Sequence, residues 1–213
     1  MPRLTIAGSI KQSSSAVSGA VHVTGSSCFD QLTTMGLTGT LTGNNISLTS
    51  TSVSGQVTTF TGSITDSALT GTYTINGGCA NGDQGTVTGI KIPFIANTLS
   101  GTFTTSAKAT FNVEADVAQS SGASSEGSFG ITGTVNFSTP CFSSGTMMPG
   151  TFPSGSFIIG ESVAFEIKTG NGTVAFLGTA NPSTGEITGD YTVSGGTCDQ
   201  TGTGVLVADP WGY

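Results

Sequence analysis

The chain has 213 residues, of which Ser, Thr and Gly supply 28, 37 and 33. Only 8% are charged, there is one histidine, and the net charge is −7. No Lys/Arg cluster is present to meet a phosphate backbone, which argues against a nucleic-acid partner. No apolar run approaches the length of a membrane-spanning helix.

Such a composition can mark a flexible linker. Here, however, hydrophobic residues make up 35% of the chain and fall at alternating positions. Abundant Thr with Val, Ile and Phe fits half-buried strands. The expected fold is all-β. Alternation and turn signals predict strands over about 4–11, 17–24, 35–42, 45–53, 56–64, 68–75 and 85–92. A boundary is expected over 93–100, starting at Pro93. Further strands are predicted over about 101–106, 108–118, 128–138, 148–152, 155–159, 162–168, 172–179, 186–193 and 201–207. Gly43-Asn44-Asn45, Asp66-Ser67, Gly170-Asn171-Gly172 and Asn181-Pro182-Ser183 separate them as turns. Gln119–Gly127, rich in Ser and Gly, reads as the most flexible internal loop.

The chain repeats itself. Gly19-Ala20-Val21-His22-Val23 leads to Cys28-Phe29, as Gly133-Thr134-Val135-Asn136-Phe137 leads to Cys141-Phe142. Phe60-Thr61-Gly62 matches Phe176-Leu177-Gly178, and Leu69–Ile75 matches Ile187–Val193 around Tyr73 and Tyr191. Gly77-Gly78-Cys79 and Asp83-Gln84 match Gly195-Gly196-Thr197-Cys198 and Asp199-Gln200. Rare residues recurring in one order argue for duplication. The expected organisation is a first β repeat over 1–95 and a second over 96–213, each an antiparallel meander curling into a barrel or sandwich. The second copy opens with a strand around Gly101-Thr102-Phe103 that has no counterpart before Ile6, so the first strand of copy one is expected upstream of the chain. Ten of the 12 Phe lie between Phe94 and Phe176, which places the larger aromatic core in copy two.

Four cysteines allow three pairings. The repeat selects one bridge per copy, Cys28 with Cys79 and Cys141 with Cys198. Loops of that length stabilise by roughly 4 kcal/mol in the chain-entropy model. Disulfides imply an oxidising compartment, hence a secreted or cell-envelope protein. Met1-Pro2-Arg3-Leu4 lacks an apolar signal region, so either the chain is not exported by that route or a signal preceded these residues.

The string Gly71-Thr72-Tyr73-Thr74-Ile75-Asn76-Gly77-Gly78-Cys79-Ala80-Asn81-Gly82-Asp83-Gln84-Gly85-Thr86 resembles a family of secreted bacterial lipoprotein-like β proteins frequent in acidobacterial genomes. Gly195-Gly196-Thr197-Cys198-Asp199-Gln200-Thr201-Gly202 is similar to that family's C-terminal signature. The resemblance implies a signal peptide, often with a lipid-anchoring cysteine, upstream of Met1. The family carries no established activity, so the resemblance supplies no catalytic residues.

Chemistry-bearing residues are sparse. His22 shares a strand face with Ala20 and Thr24, opposite the valines, and reads as a polar residue on a solvent face. No Gly-x-Ser-x-Gly, Walker or HExxH pattern occurs. Glu114 with Asp116, and Glu161 with Glu166, are the carboxylate pairs a glycosidase could use, though scattered solvating charges explain them as well. Calcium is the most plausible ion, with Asp83 and Asp199 matched across the repeat and Asn81 and Asp190 as neighbours. The competing reading makes these residues caps of their own turns. Asn45, Asn136 and Asn171 head glycosylation sequons expected by chance. Trp211 reads as a staple of the C-terminal tail. The expectation is a non-enzymatic extracellular module that binds a neutral small molecule, a glycan or an envelope protein. The rivals are a secreted ester or lactone hydrolase, conceivably calcium-assisted, and a fibre or matrix subunit.

Overall fold

The computed structural model describes residues 4–30, 33–92, 94–198 and 200–208. It is all-β, with no helix among the described residues. The chain divides into two compact units. Unit 1 takes the described residues up to Lys91 together with Ser125–Gly127, and unit 2 takes the rest.

Unit 1 is a seven-stranded meander. Its strands are β1 (Thr5–Ser13), β2 (Ala16–Thr24), β3 (Thr34–Thr42), β4 (Asn45–Ser50), β5 (Val57–Ile64), β6 (Ala68–Asn76) and β7 (Gln84–Ile90). Each pairs antiparallel with the next, in sequence order, to give a half-barrel. Unit 2 contains β8 (Ala96–Thr105), β9 (Thr110–Gln119), β10 (Phe129–Phe137), β11 (Ser144–Met147), β12 (Phe157–Ile159), β13 (Ser162–Thr169), β14 (Gly172–Ala180), β15 (Glu186–Ser194) and β16 (Gln200–Ala208). Short strands β11 and β12 share one position, since both pair with β10 and both pair with β13. Strand β8 pairs with β16 on one side and β9 on the other, and β9 pairs with β10. The sheet therefore closes as an eight-position barrel.

The expected strands are present, with two displacements. The strand expected at 148–152 lies at 144–147, and the stretch 149–156 makes only isolated bridges. The strand expected from 101 begins at Ala96, so most of the supposed boundary is strand. Ala96–Ser100 lacks a clear apolar alternation, but pairing with β9 throughout, and with β16 from Leu99, makes it strand regardless. Pro93 and Trp211 lie outside the described residues.

Eight strands leave an interior just wide enough for side chains. In unit 2, Phe103 stacks on Tyr191 at 4.8 Å and on Phe176 at 5.5 Å. Phe111, Phe137 and Phe142 meet edge to face beside them. The aromatic core expected in copy two is there. A recess near Ile95, Leu99 and Ile187 has a volume of about 10 Å³, room for one water at most. Unit 1 has two smaller clusters, one around Val21, Val23, Phe29, Met35 and Ile75, the other around Val17, Ile46, Leu48 and Phe60.

The repeated Phe-x-Gly has a packing cause. Gly62 faces Gly71 across β5–β6, and Gly178 faces Gly189 across β14–β15. The ring of Phe60 lies over the first pair, where a Cβ on either glycine would sit 2.8 Å from its Cζ. At Gly178 a Cβ would meet the Phe176 ring at 2.6 Å. The aromatic fills the space that the missing side chains leave on the sheet, a known remedy for glycine in strands.

Disulfides join Cys28 to Cys79 and Cys141 to Cys198, one in each unit, with Cα separations of 5.6 and 5.7 Å. These match the pairing that the repeat selects and indicate an oxidising environment.

Gly178→Val drives a branched side chain into the Phe176 ring. Chemical denaturation should show a loss of about 1–3 kcal/mol, the usual cost of overpacking. Thr203→Val, on the outer face, should stay within about 0.5 kcal/mol.

Candidate functional site

The outer face of β3–β7 is the most distinctive surface of unit 1. Register sets three ranks of side chains across these five strands. The first rank is Thr40, Ser47, Thr61, Thr72 and Thr86; the second is Thr38, Thr49, Thr59, Thr74 and Gln84; the third is Thr42, Asn45, Ser63, Thr70 and Thr88. All are uncharged, and nearly all carry a hydroxyl. Neighbouring hydroxyls bond across β5–β6, Thr59 to Thr74 at 2.6 Å and Ser63 to Thr70 at 3.2 Å. Their inward neighbours, among them Ile46, Leu48 and Phe60, are buried, so strand alternation alone turns this hydroxyl set outward. A shallow depression of about 600 Å³ lies on this face, lined by Thr40, Thr42, Asn45, Ser47, Thr61 and Thr70 among others. The matching face of unit 2 is different. Its ranks include Glu166, Asp190, Leu177 and Val205.

His22 departs from expectation. It lies on the predicted face, opposite the valines, yet it is only 4% exposed. Residues 125–127, which belong to unit 1, cover that face. His22 Nε2 lies 3.0 Å from the Glu126 carbonyl oxygen, to which it can donate a proton, and 3.4 Å from the Thr34 hydroxyl. The Thr34 hydroxyl donates to the Glu126 carboxylate. Hydroxyl and carboxylate thus both meet the Nε2 side of the ring, with the carboxylate oxygen 3.9 Å from it. In a catalytic triad the carboxylate holds the ring nitrogen opposite the nucleophile, so this cluster does not have triad geometry. The loop that composition marks as flexible is held in place, with Ser124 N–H donating to the Ser128 carbonyl at 2.8 Å.

The proposed calcium ligands belong to different units. Asn81 and Asp83 share the turn before β7, and Asp190 points outward from β15. Asp199 lies outside the described residues. Asn81 Oδ1 accepts from the Gly77 N–H at 2.7 Å, the capping role the composition suggested for Asp83. Asp83 instead accepts from the Tyr73 hydroxyl at 3.3 Å. Among the described residues no cluster of three or more His, Cys, Asp or Glu could hold a metal. Glu114 and Asp116 are both exposed on β9, where Thr98 donates to Asp116 at 3.0 Å. No helix of the described residues is long and apolar enough to cross a membrane.

No family model matches the chain, and neither does any curated protein or solved structure.

Two tyrosines titrate above their ordinary pKa of 10.0. Tyr73 is raised by burial and then by the Asp83 carboxylate, which opposes a phenolate beside it, and Tyr191 is raised by burial in the barrel. A raised acid favours the neutral native form. Its stabilisation is complete below the unfolded pKa and is lost as pH rises through the folded one. Absorbance titration should therefore show both phenols ionising above 10.0, with stability falling over that alkaline range. Tyr191→Phe should remove part of the alkaline fall.

Proposed function

We propose that the chain is a non-enzymatic extracellular or cell-envelope β module that binds a neutral, hydroxyl-rich polymer, a polysaccharide, on the outer face of β3–β7. The observation that carries this reading is the uncharged array of Thr, Ser, Asn and Gln over five strands, with a depression of about 600 Å³ in it. Hydroxyls and amides can both donate and accept, as sugar hydroxyls require, and threonine methyls offer apolar contact to the C–H faces of a sugar ring. An uncharged face does not select for ions. The depression has the volume of a small-molecule site, whereas the barrel interior of unit 2 is filled by its own side chains. The disulfides support export. The resemblance to secreted lipoprotein-like proteins agrees with a place in the envelope.

Affinity electrophoresis through gels holding neutral polysaccharides tests this reading. The protein should be retarded by at least one of them. Thr61→Lys with Thr72→Lys, in the centre of the array, should abolish the retardation, and Thr203→Lys on unit 2 should leave it unchanged. Equal mobility in every gel, or equal loss in both variants, overturns it.

A further inference from the structure

The two repeats differ by one strand. The register makes the equivalence residue by residue. Ile6 faces Val23 as Val113 faces Phe137, so β1 corresponds to β9. Tyr73 faces Gly85 as Tyr191 faces Gly202, so β7 corresponds to β16. In unit 2, β8 lies between β9 and β16 and bonds to both. In unit 1 no described strand pairs with the free side of β1 or of β7.

The open position leaves core residues in water. Ile6 and Ile10 point to the inner face of β1 and are 48% and 41% exposed, while their counterparts Val113 and Val117 are 2% and 7% exposed. The inner face of β7, with Gly85, Val87 and Gly89, is half-buried along its length, whereas Gly204 and Leu206 on β16 are buried. Unpaired backbone beside exposed apolar side chains is the template that strand addition uses.

Two lysines mark one end of this position. Lys11 near the end of β1 and Lys91 directly after β7 stand where unit 2 has Ala118 and Ala208. Strands β1 and β7 run in the same direction, so both lysines lie at the same end. A strand antiparallel to both, as β8 is to its neighbours, begins there. Edge lysines also discourage self-pairing of copies, and Lys11, opposite the first residue of such a strand, favours an acidic start.

We propose that unit 1 accepts, between β1 and β7, an extended segment of a partner protein that completes its barrel. The segment runs antiparallel to both edges and spans about ten residues, the length of β8. It carries an acidic residue at its N-terminal end, at the register position of Ala96 opposite Lys11, and apolar residues at alternate positions. The position that β8 fills with Leu99, between Ala115 and Ala208, lies in unit 1 between Gly8 and Lys91, and Gly8 leaves room for a large side chain. The position of Gly101, opposite Leu206, lies opposite Gly89 in unit 1 and takes a larger residue than glycine. This inference stands on the strand edges and is independent of the polysaccharide reading.

The test uses the full chain and a synthetic peptide with the Ala96–Thr105 sequence bearing Ala96→Asp and Gly101→Val. Calorimetry should detect saturable one-to-one binding, and amide shifts in the NMR spectrum should concentrate on β1 and β7. A peptide with Leu99→Asp and Phe103→Asp added should not bind. Lys11→Glu in the protein should weaken binding by up to about fivefold, the scale of an exposed charge pair. Ile10→Asp, at an exposed position, should keep the fold and weaken binding further. Absent binding, shifts spread away from β1 and β7, or equal binding of the Asp-bearing control overturns the proposal. So does light scattering that shows the chain alone to be a dimer whose β1 and β7 amides are already covered by a second copy.

Discussion

A strand has two hydrogen-bonding edges, and a sheet that does not close leaves two of them to water or to a partner. That constraint separates the two halves of this chain. Unit 2 satisfies it with β8, which bonds to β9 and β16 and turns a row of strands into a ring. Burial follows from closure. Once β8 is in place, Val113, Val117 and Leu206 lose contact with solvent, and Phe103 completes a stack with Phe176 and Tyr191. Unit 1 has the same meander, the same cross-strand glycines under a phenylalanine and the same disulfide, but β1 and β7 keep their free sides. Ile6 and Ile10, inward on β1, stay wet beside that free edge.

The remaining features fit around this difference. With a smaller core, unit 1 depends more on its disulfide, which constrains a long loop. His22 shows another kind of support. It is a polar side chain on an outward face, buried because Ser125–Gly127 lie over it and hydrogen-bond to it. The hydroxyl array is the consequence of alternation once the inward set is apolar. Thr suits such positions because its branched carbon fits the pleat and its hydroxyl faces water. Only in unit 1 do the ranks stay free of charge and of large apolar groups, which is why a recognition surface is assigned there.

Much of the fold was legible in the sequence, through its rarest residues. Cysteine, tyrosine and the Phe-x-Gly pairs recur in register, so they exposed the duplication, selected the disulfide pairing and located most strands. Closure was legible only as an asymmetry, the unmatched strand at Gly101-Thr102-Phe103. Its true start at Ala96 was hidden because Ala96-Asn97-Thr98 owes its strand conformation to pairing with β9 and shows no apolar alternation of its own. His22 was placed on the right face, but its burial depends on a loop about a hundred residues away, which local periodicity cannot report. The threonine ranks were visible as composition and became a surface only when the register aligned β3 through β7. Asp83 and Asn81 read as candidate ion ligands, yet the partners they use, Tyr73 and the Gly77 N–H, follow from the turn's geometry.

The central claim is that, among the described residues, no strand fills in unit 1 the position by which β8 closes unit 2. Residue-resolved hydrogen exchange of the isolated chain tests it most directly, since amides on a free edge exchange through local opening and those between two strands need larger unfolding. The outward-bonding amides of β1 and β7 should exchange orders of magnitude faster than those of β8, β9 and β16. Equal protection along β1, β7 and their counterparts β9 and β16 would contradict it.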